Sequence, residues 1–469
     1  MVNSRGCRPP AAGRLLAFVR RALDLHRRPV QKGCDCRVRI WGKNLADTRS
    51  TPEMSRGPRL GRRGLLAGAS AALLAGGAAR VRRPNFVIVL ADDLGYGDLG
   101  VFGGRLIRTP NLDRMAREGA RLTDFYASAN VCTPSRAGFL TGRYPIRTGL
   151  ANGVIQPNDT RGLDPSEVTF AEALKPEYAT ALVGKWHLGH VAPYWPPTNQ
   201  GFDLFFGLPY SHDMKPLALY TKTPGVELTK EDVDFPRLTQ RFFERGLKFI
   251  EDNRDRPFCL MLALTAPHVP VNPNPAFEGH SHAAAYGDVV EEVDANVGRL
   301  LARLKALGLE GDTLVIVTSD NGPWFQGSAG ALRDRKGAEG WDGGYRVPFL
   351  ARQPGTIPRG LVSGAIAMNI DVLPTLLAWT GKPLPAVELD GRDISRLLKT
   401  PGAPSLHDEL ILFGDEKVAA IRTDRWKYVA RSHYIGRLEF DMALAGGGRM
   451  LFDVRADTRE DYNLASLHP

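Results

Sequence analysis

Three short apolar runs in this chain each stop at side chains able to do chemistry, and no other feature of its 469 residues constrains the fold as tightly. Residues 85–90, 258–264 and 314–317 are nearly continuous apolar segments bounded by turn formers, the pattern of strands covered on both faces. Segments of helical period lie between them. In 109–118, Pro110 stands at the first helical position and Gly119 follows the end. In 288–307, Val289, Val293, Val297, Leu300, Leu301 and Leu304 share one face before Gly308. This alternation predicts an α/β fold, a large mostly parallel sheet flanked by helices. From about Pro404 the texture changes to short runs at 410–413, 418–421 and 426–430 separated by turns. That predicts a small C-terminal antiparallel α+β subdomain over 404–469, beside a larger unit over 81–403.

Open α/β sheets bind ligands beyond the carboxyl ends of their strands, so the residues after each run are the first candidates for a site. The first run leads into Asp92-Asp93, the second into Thr265-Ala266-Pro267-His268, and the third into Thr318-Ser319-Asp320-Asn321-Gly322. One such ending reads equally well as a turn or a helix cap; three together favour a site. Asp92, Asp93, Asp320 and Asn321 offer only oxygen, which suits a hard cation and favours Ca2+, since Mg2+ accepts an irregular shell less readily. In Cys132-Thr133-Pro134-Ser135-Arg136, Pro134 fits the first position of a helix ending before Gly142. Cys132 would then sit at a helix N-terminus suited to an anion, with Arg136 adding a charge one turn on. A capping loop with a chance cysteine is the plainer reading of those five residues. Lys185 and His187 stand two apart after Ala181-Leu182-Val183, so an extended segment would point both to one face; a solvated lysine and a structural histidine remain open. Lys336, between Arg335 and Gly337, is by itself a loop lysine.

The formal charge of +10 would suggest a nucleic-acid or membrane partner were it spread over the fold. It is not. The first 80 residues hold 17 of the 61 Lys/Arg and 4 of the 51 Asp/Glu, which leaves 44 basic against 47 acidic side chains beyond them. No nucleic-acid partner is expected. Three of the five cysteines, Cys7, Cys34 and Cys36, lie in the same leader, so a disulfide framework is not indicated. Cys259 sits in an apolar run, where a free cysteine acts as a small buried hydrophobe. Arg62-Arg63, Gly64 and the Ala/Leu/Gly stretch to Ala79 look like a twin-arginine export signal over 54–80, with an apolar part too short to span a bilayer. A periplasmic or extracellular location follows as an expectation, without stable membrane insertion. Residues 1–53, Arg-rich and without clear periodicity ahead of Met54, are expected to be an upstream extension outside the fold.

Taken in order, these residues resemble the type I sulfatases of the alkaline phosphatase superfamily, from about Asn85 to about Leu464. The resemblance is carried by Ala91-Asp92-Asp93-Leu94-Gly95-Tyr96-Gly97-Asp98, Thr109-Pro110-Asn111-Leu112-Asp113, the pentapeptide at Cys132, Thr141-Gly142-Arg143, Gly184-Lys185-Trp186-His187-Leu188-Gly189, His268, Ser319-Asp320-Asn321-Gly322 and Gly343-Gly344. Residues 197–207 and 209–213 look most like the branch holding arylsulfatase A and N-acetylgalactosamine-6-sulfatase.

The resemblance implies hydrolysis of sulfate esters by a formylglycine made from Cys132, which makes a formylglycine-generating enzyme a partner. Its hydrate would offer one hydroxyl to attack sulfur and a second to expel sulfate. One Ca2+ per chain would be held by Asp92, Asp93, Asp320 and Asn321. Arg136, Lys185, Lys336 and His268 would surround the sulfate, His187 would sit beside the hydrate, and His268 or a neighbouring acid would protonate the leaving alcohol. The substrate would be a sulfated small molecule or a sulfated glycan, with 194–199 and 211–220 as loops that set specificity. Two features depart from the pattern: Asp342 stands where Glu is more usual before the paired glycines, and the stretch from Lys336 to Gly343 looks one residue longer than in arylsulfatase A. A phosphodiester or phosphonate monoester hydrolase is the alternative within the superfamily. Outside enzymes, the alternative is a sulfated-glycan binding protein left unmodified at Cys132.

Overall fold

The computed structural model describes residues 83–432 and 450–468, and the expected export signal and upstream extension lie outside them. Ten strands form one sheet in the order Leu361–Ser363, Ala120–Leu122, Phe349–Arg352, Thr313–Ser319, Asn85–Asp92, Phe258–Pro267, Ala179–Lys185, Leu204–Leu208, Leu219–Lys222 and Thr229–Glu231. The five strands from Thr313–Ser319 to Leu204–Leu208 run parallel, with antiparallel pairings on either side of them. Their carboxyl ends therefore share one edge. The three expected strands are present and longer than their apolar runs, because the ladder continues into the polar residues: Ala91 pairs with Ser319 and Asp92 with Pro267.

Alternate residues of Asn85–Asp92 feed two cores, as a strand covered on both faces must. Phe86, Ile88 and Leu90 pack with Phe139 of helix Cys132–Thr141 and with Leu373 and Leu376 of helix Val372–Thr380. Val87 and Val89 pack with Leu112, Phe242 and Val293 from helices Pro110–Glu118, Leu238–Asp252 and Ala284–Ala306. Each such side chain contributes about 1.5–3 kcal/mol by leaving water. Helix Pro110–Glu118 has the expected ends. Helix Ala284–Ala306 begins a turn before 288, where Tyr286 is buried and donates its hydroxyl to Asp98 at 2.6 Å.

The small antiparallel sheet has four strands, Glu409–Gly414, Lys417–Thr423, Trp426–Val429 and Met450–Asp453, the last not among the expected runs. Its Leu410, Leu412, Ala420, Val429 and Phe452 share a core with Tyr126, Trp341, Tyr345, Met368 and Ile370. A buried ionic network crosses the same seam. Arg422 donates to Asp124 at 2.8 Å and to the Tyr126 hydroxyl at 3.0 Å. Lys427 stands 2.6 Å from Asp342 and 2.7 Å from Glu460. The two acids share one ammonium and respond oppositely. Burial works to raise Asp342, but Lys427, Arg346 and Arg422 outweigh it and hold the carboxyl at about 2. Burial pushes Glu460 up to about 7, with the Asp342 charge adding to the shift and Lys427 opposing it.

Glu460 therefore holds its proton in the folded chain, over a window in which the unfolded chain has released it, from its ordinary 4.5 to about 7. Stability should fall as pH rises through that window. Glu460→Gln, neutral throughout, should flatten this part of the curve. Urea midpoints taken at about pH 5 and about pH 8 should drop more for the wild type than for the variant; equal drops would contradict the assignment.

Candidate active site

The shared carboxyl edge of the parallel strands gathers the reactive residues. Neighbouring strands deliver Asp320 and Asn321, then Asp92 and Asp93, then His268, then Lys185 and His187. Asp93 leaves its strand with a positive φ of 66°. The turn is held by the Asp93 amide on Asp320 Oδ1 at 3.2 Å and by the Leu94 amide on Ser319 Oγ at 2.9 Å. The two acidic turns thus build each other.

Helix Cys132–Thr141 points its N-terminus into this cluster. Cys132 is its first residue, which places Pro134 third rather than first; the proline is tolerated there because amides of the first turn have no partner within the helix. Gly142 ends it in the left-handed conformation, φ 70°. Asn369 fixes the first turn by donating to Ser135 O and Oγ at 3.1 and 2.9 Å. Cys132 Sγ lies 3.4 Å from Asp92 Oδ1 and 3.5 Å from Lys336 Nζ. Burial first, then the Asp92 charge, push its thiol well above the usual range.

Each buried acid has a cation. Lys185 Nζ is 2.7 Å from Asp92, Lys336 Nζ 2.7 Å from Asp93, and Arg136 Nε 2.9 Å from Asp320. Burial works to raise Asp92, but Lys185, His268, Arg136 and Lys336 together hold it well below the carboxylate range. Burial pushes Asp320 up to about 6 against the pull of Arg136, and the neighbouring Asp92 and Asp93 charges add to the rise. Burial would strip the proton from Lys336, yet Asp93, Cys132 and Asp92 keep it charged.

Lys185 and His187 do meet in the site, although not through an extended segment. The strand ends at Lys185, and His187 takes a positive φ of 63°. The Trp186 and His187 amides are held by Leu208 O and Pro209 O, both at 3.0 Å, and the His187 carbonyl accepts Thr133 Oγ1 at 3.0 Å. His187 Nε2 faces Ile155 O at 3.0 Å, while its buried Nδ1 has no partner. Burial, then Lys185 and Arg136, depress its basicity, so the ring is neutral. His268 Nε2 stands 3.7 Å from Asp93.

The donor set fits a hard cation. Asp92, Asp93 and Asp320 are almost wholly buried, and Asn321 turns its amide nitrogen to Asp93 at 2.7 Å, leaving a buried Oδ1 without a hydrogen bond. A buried, unpaired carbonyl beside three carboxylates is costly for a protein interior and is the kind of ligand Ca2+ takes.

Above the cluster opens a cavity of about 750 Å³, walled by Cys132, His187, His268 and Lys336 and further out by Met214, Trp324 and Phe325. Among the described residues, the loop at 211–220 contributes Ser211, Asp213, Met214 and Lys215 to this wall, and the loop at 194–199 contributes none. Trp324 and Phe325 were not anticipated, although their position just after Asn321-Gly322-Pro323 was a signal. Asp342 lies outside the cluster, on Lys427.

The chain is similar to known proteins in sequence and in fold. The Sulfatase family model matches residues 84–382. Arylsulfatase A of Homo sapiens is 39% identical over 440 residues, covering 83% of this chain and 85% of the relative. Steryl-sulfatase of Rattus norvegicus is 37% identical over 428 residues, covering 72% and 74%. The crystal structure of the PsFucS1 sulfatase from Pseudoalteromonas sp. aligns with a TM-score of 0.74 at 30% identity, over 81% of this chain and 86% of that one. With a family model matched over residues 84–382 and relatives of more than 35% identity matched over most of its length, the chain belongs to the sulfatase family.

Proposed function

We propose that Cys132, converted to formylglycine, and a Ca2+ held by Asp92, Asp93, Asp320 and Asn321 carry the hydrolysis of sulfate esters in this chain. The observation that carries this reading is the company Cys132 keeps: a helix N-terminus, a buried acid at 3.4 Å and a partly buried ammonium at 3.5 Å. A thiol pushed above its usual range is a poor nucleophile, so the unmodified side chain suits this position badly. The hydrated aldehyde supplies two hydroxyls on one carbon, one to attack sulfur and one to let sulfate leave by C–O cleavage. Bound Ca2+ supplies Lewis-acid polarisation of a sulfate oxygen.

The chain's own residues do the rest. Lys185, Lys336 and Arg136 present fixed positive charge to the sulfate, the preorganised stabilisation that carries much of such a rate. His187 donates Nε2–H to Ile155 O, which leaves the unpartnered Nδ1 as an acceptor for a hydroxyl proton. His268, at the cavity wall beside Asp93, or a neighbouring acid would protonate the leaving alcohol. A formylglycine-generating enzyme would act on the Cys132 to Arg136 motif. Arg62-Arg63 and the following apolar stretch support export to the periplasm or beyond, and among the described residues no helix is long and apolar enough to cross a membrane. The substrate would be a sulfated small molecule or glycan that fits the cavity.

Asp92→Asn and Asp320→Asn keep side-chain shape and remove charge. Each should lower turnover of an aryl sulfate by at least the roughly 10–100-fold that outer-shell partners of metals cost. Elemental analysis should find about one divalent ion per chain in the wild type and markedly less in the variants; stoichiometric zinc in fully active protein would argue against the oxygen-lined site.

Cys132→Ser retains a hydroxyl able to attack sulfur but lacks the second one. It should release at most about one equivalent of phenol per site and keep a sulfate ester on the serine. Cys132→Ala should release none. Mass spectrometry of the peptide carrying residue 132 should show a hydrazide-reactive aldehyde in the wild type, which a binding protein would lack. Repeated turnover by the serine variant near the wild-type rate, or faster turnover of the matching phosphodiester, would overturn the reading.

A further inference from the structure

We propose that Glu460, in the C-terminal segment that follows the small sheet, is a positioning residue for Lys336, which makes that segment part of the active-site framework. The inference rests on the role given above to Lys336.

Lys336 rides on the segment 333–344, which includes Gly337, Gly340, Gly343 and Gly344 and has positive φ at Asp334, Gly337 and Gly340. Such a segment has little shape of its own. It is gripped where it touches the rest of the chain. The Lys336 amide donates to Pro323 O and the Gly337 amide to Asn130 O, both at 3.0 Å. At its two ends the partner is one residue. Arg333 Nη1 donates to the Glu460 carbonyl at 2.7 Å, and the Asp342 amide donates to Glu460 Oε2 at 3.0 Å. The Gly343 amide closes the segment on Arg333 O at 2.8 Å, with no room for a Cβ at Gly343. The Arg333 guanidinium lies 3.8 Å over the Trp341 ring, and that ring packs on Phe452 of the small sheet.

Glu460 thus clasps both ends of the segment whose middle holds Lys336 Nζ between Asp93 and Cys132. The clasp is itself fixed: Glu460 is fully buried, takes a positive φ of 57°, and has Lys427 at 2.7 Å. A flexible lysine aimed by a glycine-rich segment loses its aim when the segment ends part, and a shift of about 1 Å can cost on the order of 100-fold in rate.

The test is a double-mutant cycle on the purified full chain with an aryl sulfate, with thermal unfolding confirming that each variant is folded. Glu460→Ala should lower kcat/KM by about 10- to 100-fold and weaken inhibition by inorganic sulfate. Glu460→Gln, which keeps an acceptor for the Asp342 amide, should restore most of both. In a Lys336→Ala background, Glu460→Ala should cost less than about twofold more, since residues acting through one another are not additive. If Glu460→Ala does not fold, Arg333→Gln releases the same clasp from the other side and takes its place in the cycle. Equal losses in both backgrounds, or a folded variant with wild-type kcat/KM, would overturn the inference while leaving the site intact. Wild-type turnover by Lys336→Ala would instead sink the role given to Lys336, a separate and recognisable failure.

Discussion

Three carboxylates buried at one edge of a parallel sheet are the constraint on which the rest of this structure depends. Burying a charge costs several kcal/mol unless it is paired, and Asp92, Asp93 and Asp320 are each paired by a cation from a different segment: Lys185 from the end of a strand, Lys336 from a loop, Arg136 from a helix. Those cations must themselves be buried and aimed. The helix is therefore pinned by Asn369, the strand end is turned by a histidine with positive φ, and the loop is clasped by the C-terminal segment. The architecture around the site can be read as the set of supports that three buried charges require.

Much of this was legible in the sequence, because hydrophobic period and strand-end chemistry are local signals. The parallel strands, the helix after Thr109, and the convergence of Asp92, Asp93, His268 and Asp320 follow from runs of a few residues and the rule that parallel strands end on one edge. What the sequence hid is non-local. Nothing near Lys336 separates it from any loop lysine; its place depends on Pro323, Asn130 and Glu460, up to 206 positions away along the chain, and only the family pattern points to it. Alternation along a strand predicts a shared face for His187 and Lys185, whereas a left-handed turn anchored on Leu208 and Pro209 brings His187 in. Pro134 reads as the first helical residue although the helix starts two residues earlier at Cys132, because a proline suits any of the first helical positions. The strand Met450–Asp453 is hard to read from sequence because only Met450, Leu451 and Phe452 are apolar before Asp453.

The departure at Asp342 also takes on a physical meaning. A shorter acid before the paired glycines sits at the seam between the two sheets, where it binds Lys427, the Tyr126 hydroxyl and, through its amide, Glu460. Its side-chain partners are Lys427, Tyr126 and Arg346 at the seam rather than the strand-end acids or their cations, so this position serves the join. The segment after it reaches the site by way of Gly344, whose carbonyl accepts the Gly322 amide at 3.0 Å just beyond Asn321.

The burial of Cys132, at 2% exposure in the finished fold, sets a timetable. The proposed conversion of Cys132 would require a modifying enzyme to grasp the Cys132 to Arg136 motif as an accessible strand of peptide, and the closed site offers no such access. The side chains that enclose the motif come from as far along the chain as Asp320 and Lys336, and contacts of such long sequence separation form late. During synthesis the motif leaves the ribosome well before those residues exist as chain, with elongation at about 5–20 residues per second leaving an interval of roughly ten seconds or more. The proposed conversion of the cysteine would belong to that interval, before the chain that closes the site has been made.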